Sequence, residues 1–286
     1  MKRPSLLTLI PAASAVYALR SQGGPLPVDA LTAAGFSIAV QCWSFKEFTL
    51  FEAIEMAAAA GANVELFSGQ KIGGACGDLE FGHELADDAL QAVAEHLAKH
   101  RVFAVNYGVV DVPDDEAAAR KIFGLAEKLG LHGITTESID AIDVLEKLAA
   151  EYGIKVCFHN HPKRPFYKMW DPEFVFDAVK DRHENLGLCA DVGHWASCGM
   201  NPLEVIRKVA PRVRSFHLKD RESIEQWTHD RPFGAGVIDL ISILDEVRKH
   251  GFAGNVSIEY EHNWKSNLAE VAQCAGYLRA YSKMRV

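Results

Sequence analysis

The chain has 286 residues, of which 49% are apolar and 24% charged, enough material for one large core. Its net charge of −8 and isoelectric point near 5.8 argue against a nucleic-acid backbone as partner, which would favour a basic surface. The six cysteines form no Cys-x-x-Cys pair, and Cys42, Cys157 and Cys189 lie inside apolar runs, as small core residues do.

Lys2-Arg3 precede an apolar run from Leu6 to Leu19 that ends near small residues such as Val16-Tyr17-Ala18. Charged start, apolar middle and small-residue end are the parts of an export signal, and Lys-Arg-Pro-Ser-Leu-Leu loosely resembles a twin-arginine one. A short amphipathic helix is the alternative, and it leaves a cytoplasmic location open. Residues 20–34, with Gly23-Gly24-Pro25 and Pro27, read as a linker. The expected division is therefore signal and linker over 1–34 and one catalytic domain over 35–286. No other run reaches the ~18 apolar residues that span a bilayer, so no membrane partner is expected.

From Phe36 the chain alternates short apolar runs with helical patterns. Phe36–Trp43 predicts the first strand, and Thr49, with Glu52 three residues on, starts a helix ending at Gly61. Asn63–Phe67 is the second strand, followed by a glycine-rich loop, Ser68–Glu84, long enough to suggest a lid. A helix over Asp87–His100 leads to strand Val102–Val110. Asp114 caps a helix to Gly130, and His132–Ser138 is the fourth strand, with a helix over 140–153. Strand Lys155–His161 precedes a Pro-rich aromatic loop, Pro162–Trp170, and a helix opened by Asp171-Pro172. The sixth strand ends at Asp191 and Asn201-Pro202 opens the next helix. Val213–Asp220 is the seventh strand, Asn255–His262 the eighth, and Asn267 opens the last helix.

Eight strand–helix units in one chain of this length favour a closed (β/α)8 barrel, an α/β fold, over an open doubly wound sheet. No Gly-x-Gly-x-x-Gly follows the first strand, which removes the usual dinucleotide site. Barrel chemistry sits at the carboxyl ends of the strands. Those ends carry Trp43, Phe67, Asn106 and Glu137 in the first half. The second half carries His159 and His161, Asp191 and His194, His217 and Lys219, Glu259 and Glu261. Imidazoles mixed with carboxylates suit one divalent cation of the Mn, Co, Zn or Fe kind rather than Mg. The four strand ends are too far apart in sequence for a helix or hairpin motif and converge only if each residue sits on a successive strand.

The stretches Phe158-His-Asn-His-Pro162, Ala190-Asp-Val-Gly-His194, Ser215-Phe-His-Leu-Lys-Asp220, Pro232-Phe-Gly-Ala-Gly236 and Ser257-Ile-Glu-Tyr-Glu261 resemble the xylose isomerase-like barrel superfamily, in its sugar phosphate isomerase/epimerase branch. The resemblance implies a metal held from the last four strands, with Asp191, His217 and Glu259 matching directly. Where many members carry Glu-Asn-His, this chain has His159-Asn160-His161, similar to inosose dehydratase-like members. The first ligand is then His159, or Glu137 in its place. The activity implied is isomerisation or epimerisation of a sugar or keto-sugar by proton abstraction beside a carbonyl. The alternative is a lyase or hydratase acting on a keto-sugar or 3-keto-glycoside, and an endonuclease IV-like nuclease is remote. Glu137, His159 and Glu259 are the expected proton-transfer residues. His161, His194, Lys219, Trp43 and Glu261 are expected to bind a small carbohydrate, with Phe67, Trp195 and Trp264 as further platform candidates. His229 and Asp230 either close on the substrate or solvate a surface loop. Barrels of this branch often pair, so a homo-oligomer is a further expectation.

Overall fold

The computed structural model describes residues 26–224 and 228–285. The export-signal expectation falls on residues outside that range. Eight parallel strands close into a barrel: β1 (Ser37–Gln41), β2 (Asn63–Leu66), β3 (Ala104–Tyr107), β4 (Gly133–Thr136), β5 (Lys155–His159), β6 (Leu186–Asp191), β7 (Val213–Leu218) and β10 (Asn255–Ile258). β10 pairs with β7 on one side and with β1 on the other, which completes the circle. A two-stranded antiparallel ribbon, β8 (Asp220–Arg221) with β9 (Asp230–Arg231), stands outside it. The helices are α1 (Leu50–Ala60), α2 (Asp87–His100), α3 (Glu116–Leu129), α4 (Ile142–Tyr152), α5 (Pro172–Val179), α6 (Val192–Ser197), α7 (Pro202–Val209), α8 (Leu240–Lys249) and α9 (Leu268–Met284).

Local chemistry accounts for most helix starts. Thr49 and Glu52 exchange side-chain and backbone hydrogen bonds in a capping box at α1. Pro172 and Pro202 sit at first helical positions behind Asp171 and Asn201 caps. Asp115, one residue past the expected Asp114, caps α3 by accepting from the Ala118 amide. The strands are buried on both faces, which is why they read as near-continuous apolar runs. Burial pushes the Cys157 thiol up to about 12, in keeping with a small core residue. Leu26 and Ala30 are also buried, and Ser282 Oγ accepts from the Ala34 amide, so residues 26–34 pack on the barrel. No helix among the described residues is long and apolar enough to cross a membrane.

The differences from the expected elements cluster at the barrel mouth. β1 stops at Gln41 because Cys42–Phe45 turn into a 3-10 helix, with Gln41 accepting from the Trp43 amide. β7 stops at Leu218 and the chain leaves for the ribbon. The glycine-rich loop is a wall rather than a hinged lid. Ile72 and Phe81 are buried in the core, and the Leu50 and Phe51 amides bond to Lys71 and Ile72 carbonyls. Asp230 does not meet solvent: it is buried against Arg221 at 2.8 Å. His229 lies beside His262, ring centres 4.5 Å apart.

Candidate active site and metal centre

β6 shows how the sequence builds the site. Asp191 ends the strand and becomes the cap of α6, its Oδ1 accepting from the His194 amide at 2.7 Å. That leaves Oδ2 facing the barrel axis, where Lys219 Nζ donates to it at 2.7 Å. Gly193 is required by close approach: a Cβ there would stand 2.6 Å from Lys219 Cβ and 2.7 Å from its Cδ. The Asp-Val-Gly-His run is thus a strand end, a cleared path for the lysine stem, and an imidazole returned to the rim. Asp191 and His217 are direct neighbours in the β6–β7 register, and Ser257 of β10 is the neighbour of His217 on its other side.

Two imidazoles are held by carboxylates on their far nitrogens. Carboxylates accept only, so the ring nitrogens facing them carry the protons. His217 Nε2 donates to Glu65 Oε1 at 3.0 Å, and its Nδ1 stands 3.3 Å from Glu259 Oε2. His159 Nδ1 donates to Glu137 Oε1 at 3.0 Å, and its Nε2 stands 3.6 Å from Asp191 Oδ2. The inward nitrogens, His217 Nδ1 and His159 Nε2, are buried without hydrogen-bond partners. Burial opposes charge on both rings, but Asp191 and Glu137 around His159, and Cys189, Glu65 and Glu259 around His217, raise both pKa values. A metal ion would therefore take the place of the inward proton while the outer nitrogen stays oriented by its carboxylate.

Lys219 is fully buried and pairs with Asp191 and with Glu259, while Glu261 Oε2 lies 3.5 Å away. Burial opposes its charge, but Asp191, Glu259 and Glu261 outweigh burial and hold its pKa well above the usual lysine value. Burial likewise opposes the charge on Glu259, yet Lys219 and His217 keep it below the usual carboxylate range. For His194, burial, then Lys219 and His159, keep the pKa well below the ordinary imidazole value, so the ring is neutral.

These residues fit a divalent ion on two counts. His159, Asp191, His194 and Glu259 each offer a donor atom within 4.8 Å of the others, and His217 joins them through Glu259. Around them Asp191, Glu259 and Glu261 gather on the single ammonium of Lys219, an excess of negative charge that a divalent cation would balance. His194, expected as a substrate contact, thus lies inside this donor group, its Nε2 3.4 Å from Asp191 Oδ2.

Glu137 is set back from that group. Its Oε1 accepts from His159, from His161 Nδ1 and from the Tyr167 hydroxyl at 2.8 Å, which makes it an anchor for imidazoles. Burial would raise its pKa, but the two histidines hold it well below the usual carboxylate range. A cavity of about 290 Å³ opens above the cluster, lined by Gln41, Trp43, Phe67, His161, Glu259 and Glu261 among others. Trp43 is 38% exposed there and donates from Nε1 to Glu261 Oε1 at 3.1 Å. Phe67 meets it edge to face at 5.3 Å and Trp264 does so at 6.3 Å. Trp195, by contrast, is fully buried and is no part of the platform.

Two participants were not singled out from the sequence. Glu65 accepts from Thr135 Oγ1 and Ser257 Oγ, each at 2.6 Å, from Asn255 and from His217. The visible signal was a lone acid inside the apolar run Asn63–Phe67. Tyr167 lies in the aromatic loop after β5, and its oxygen also accepts from the His161 amide at 2.7 Å.

Fold and site together define a (β/α)8 barrel with a polar, metal-competent mouth. The chain belongs to the xylose isomerase-like TIM barrel family, whose model matches residues 129–281. An inosose dehydratase of Clostridium perfringens is 30% identical over 131 residues, 44% of this chain and 40% of that protein. An inosose isomerase of Halalkalibacterium halodurans is 26% identical over 139 residues, 46% of this chain and 49% of the other. Each match spans less than half of the relative's own length. A solved structure of an uncharacterised protein from Parabacteroides distasonis superposes with a TM-score of 0.69 at 28% identity, covering 86% of this chain and 99% of that one.

Proposed function

We propose that the protein is a divalent-metal-dependent enzyme that removes the proton beside the carbonyl of a keto-sugar and then expels a group from the neighbouring carbon, as a lyase or dehydratase. One observation carries the choice of elimination. Epimerisation needs proton transfer on opposite faces of one carbon, and the position of the second carboxylate is filled here by His159. That imidazole is buried, with one nitrogen on Glu137 and the other turned to Asp191, and is not free to shuttle protons.

His159, Asp191, His217 and Glu259 are the proposed ligands, chosen because both imidazoles are oriented from behind by carboxylates. When bound, the ion supplies Lewis-acid polarisation of the carbonyl oxygen. Glu259, ionised beside Lys219, takes the proton from the carbon. Lys219 Nζ donates toward the oxygen on which negative charge develops. His161, whose Nδ1 is held by Glu137, lines the cavity and presents its other nitrogen to protonate the leaving oxygen. Trp43 and Phe67 supply the apolar wall for the sugar. The similarity to an inosose dehydratase supports this reading.

Isomerisation is the second reading, favoured by the placement of Glu259 and Glu261 on one wall just past β10. A base on one side suffices to move a proton between adjacent carbons. The test is proton NMR in deuterated water with Mn-loaded enzyme and a panel of keto-sugars and 3-keto-glycosides. Loss of water or of the aglycone is the expected result. Deuterium entering beside the carbonyl with the skeleton kept would establish isomerisation instead, and silence across the panel would overturn both.

A further inference from the structure

On the outside of the barrel, α1 and α2 bring together a second set of donors unconnected with the mouth. His96 and His100 are four residues apart on α2, so their rings project from one helical face, with centres 4.6 Å apart. Glu55 of α1 faces both: its Oε1 lies 3.3 Å from His96 Nε2 and 3.7 Å from His100 Nε2. The three donor atoms fall within 4.8 Å of one another. Phe51, one turn before Glu55, stacks flat on the His96 ring at 4.0 Å and fixes its plane. His100 Nε2 is buried and has no hydrogen-bond partner, a rare state for a buried polar atom. The Glu55 side chain is 51% exposed, which leaves room for water in the remaining coordination positions.

We propose that Glu55, His96 and His100 form a second divalent-metal site, of the zinc class, that clamps α1 to α2 on the outer surface. Two imidazoles and one carboxylate match the nitrogen and oxygen preference of zinc, with water completing the tetrahedron. Ion binding would exchange the contact of His96 Nε2 with the Phe51 carbonyl, now 3.2 Å, for a bond to the metal. The ion would thereby tie two consecutive helices of the barrel wall.

Zinc is the probe. The protein is equilibrated with zinc, passed through a desalting column and analysed for metal per chain. Two ions are expected for the wild type, one for His100→Ala and one for the mouth variant Asp191→Asn. Glu55→Gln changes a half-exposed side chain and keeps the fold, and at least tenfold weaker binding at the outer site is expected. In the Asp191→Asn background zinc should still raise Tm by a few degrees, and adding His100→Ala should abolish that rise. Equal zinc in wild type and His100→Ala, or a zinc-dependent Tm rise that survives both changes, would overturn the outer site. Failure of the mouth site has a different signature: Asp191→Asn would keep the wild-type zinc content while His100→Ala still lost one ion.

Discussion

The chain builds the same device, an imidazole backed by a carboxylate, at two depths of one barrel. The Glu65–His217 pair is fully enclosed, and the donors to Glu65 come from β4, β7 and β10, across the barrel from β2. The Glu137–His159 pair is nearer the rim, and its further donors, His161 and Tyr167, come from the chain just after β5. The deep carboxylate therefore ties strands that are remote in sequence, while the upper one ties a single loop to the end of one strand. Orientation of a ligand and cohesion of the fold coincide in the first pair and separate in the second.

Glu259 touches the deep pair through His217 and the mouth through Lys219, so its replacement should have the largest effect on turnover. Glu259→Gln keeps the shape, removes the proposed base, and should lower kcat by about 10²–10⁴. Single-turnover kinetics with metal-loaded protein check this, and a loss below tenfold would remove Glu259 from the proton-transfer role. Asp191 is a poorer choice for that measurement because its loss also uncaps α6.

The pairs themselves are separated by Glu65→Ala and Glu137→Ala. Both should weaken metal binding about 10–100-fold, since both free an imidazole from its orienting partner. Stability should divide them. Glu65→Ala strands buried donors on three strands and should cost about 3–5 kcal/mol. Glu137→Ala empties a place at the rim and should cost about 1–3 kcal/mol. Urea unfolding of the metal-free variants makes the comparison, and equal losses would show that depth does not distinguish the two.

The upper pair was legible in the sequence and the deep one was not, for a physical reason. Strand ends are marked by polar residues after apolar runs, so His159, Asp191, His217 and Glu259 stand out one by one. The barrel rule then gathers them without further information. Glu65 sits within its strand, and its partners Thr135, Asn255, Ser257 and His217 are assigned to it only by barrel closure. No local pattern encodes which residues a closed sheet brings across its axis. The six-residue helix α6 was missed because it is too short to show a period, although Asp191 carries its cap in plain view. The overrun of β7 has a similar cause: Asp220 continues an apolar–polar alternation but turns outward, where it accepts from the Gly234, Gly236 and Ile238 amides.

A third buried carboxylate shows what the imidazoles contribute. Burial pushes Asp230 up to about 6, despite Lys219 and Arg221 nearby, whereas burial of Glu137 is overcome by its two histidines. A folded pKa above the unfolded value near 4 favours folding while the group is protonated. That contribution is complete below about pH 4 and is lost as pH rises through about 6. Between pH 4 and pH 7 the metal-free wild type should lose about 2–3 kcal/mol that Asp230→Asn does not lose. Unfolding by urea across that range, with chelator present, gives the difference directly. Parallel curves for the two proteins would place Asp230 among ordinary exposed carboxylates.

The smallest effect belongs to a residue that touches neither pair. Trp43 contacts Phe67, Trp264 and Glu261 but none of the proposed ligands' orienting carboxylates. If its ring is the wall for the sugar, Trp43→Ala removes contact made equally in ground and transition states. KM should rise about tenfold, the equivalent of ~1.4 kcal/mol of stacking, with kcat nearly unchanged. Trp43→Phe separates the ring from the indole N–H. It keeps an aromatic face but cannot donate to Glu261, so KM should return most of the way toward wild type. A fall in kcat in both variants would instead mean that Trp43 acts by holding Glu261 beside Lys219. The mouth would then contain a third oriented carboxylate, backed by an indole rather than by an imidazole, and the contrast between deep and upper pairs would have to be redrawn around Lys219, which Asp191, Glu259 and Glu261 all approach.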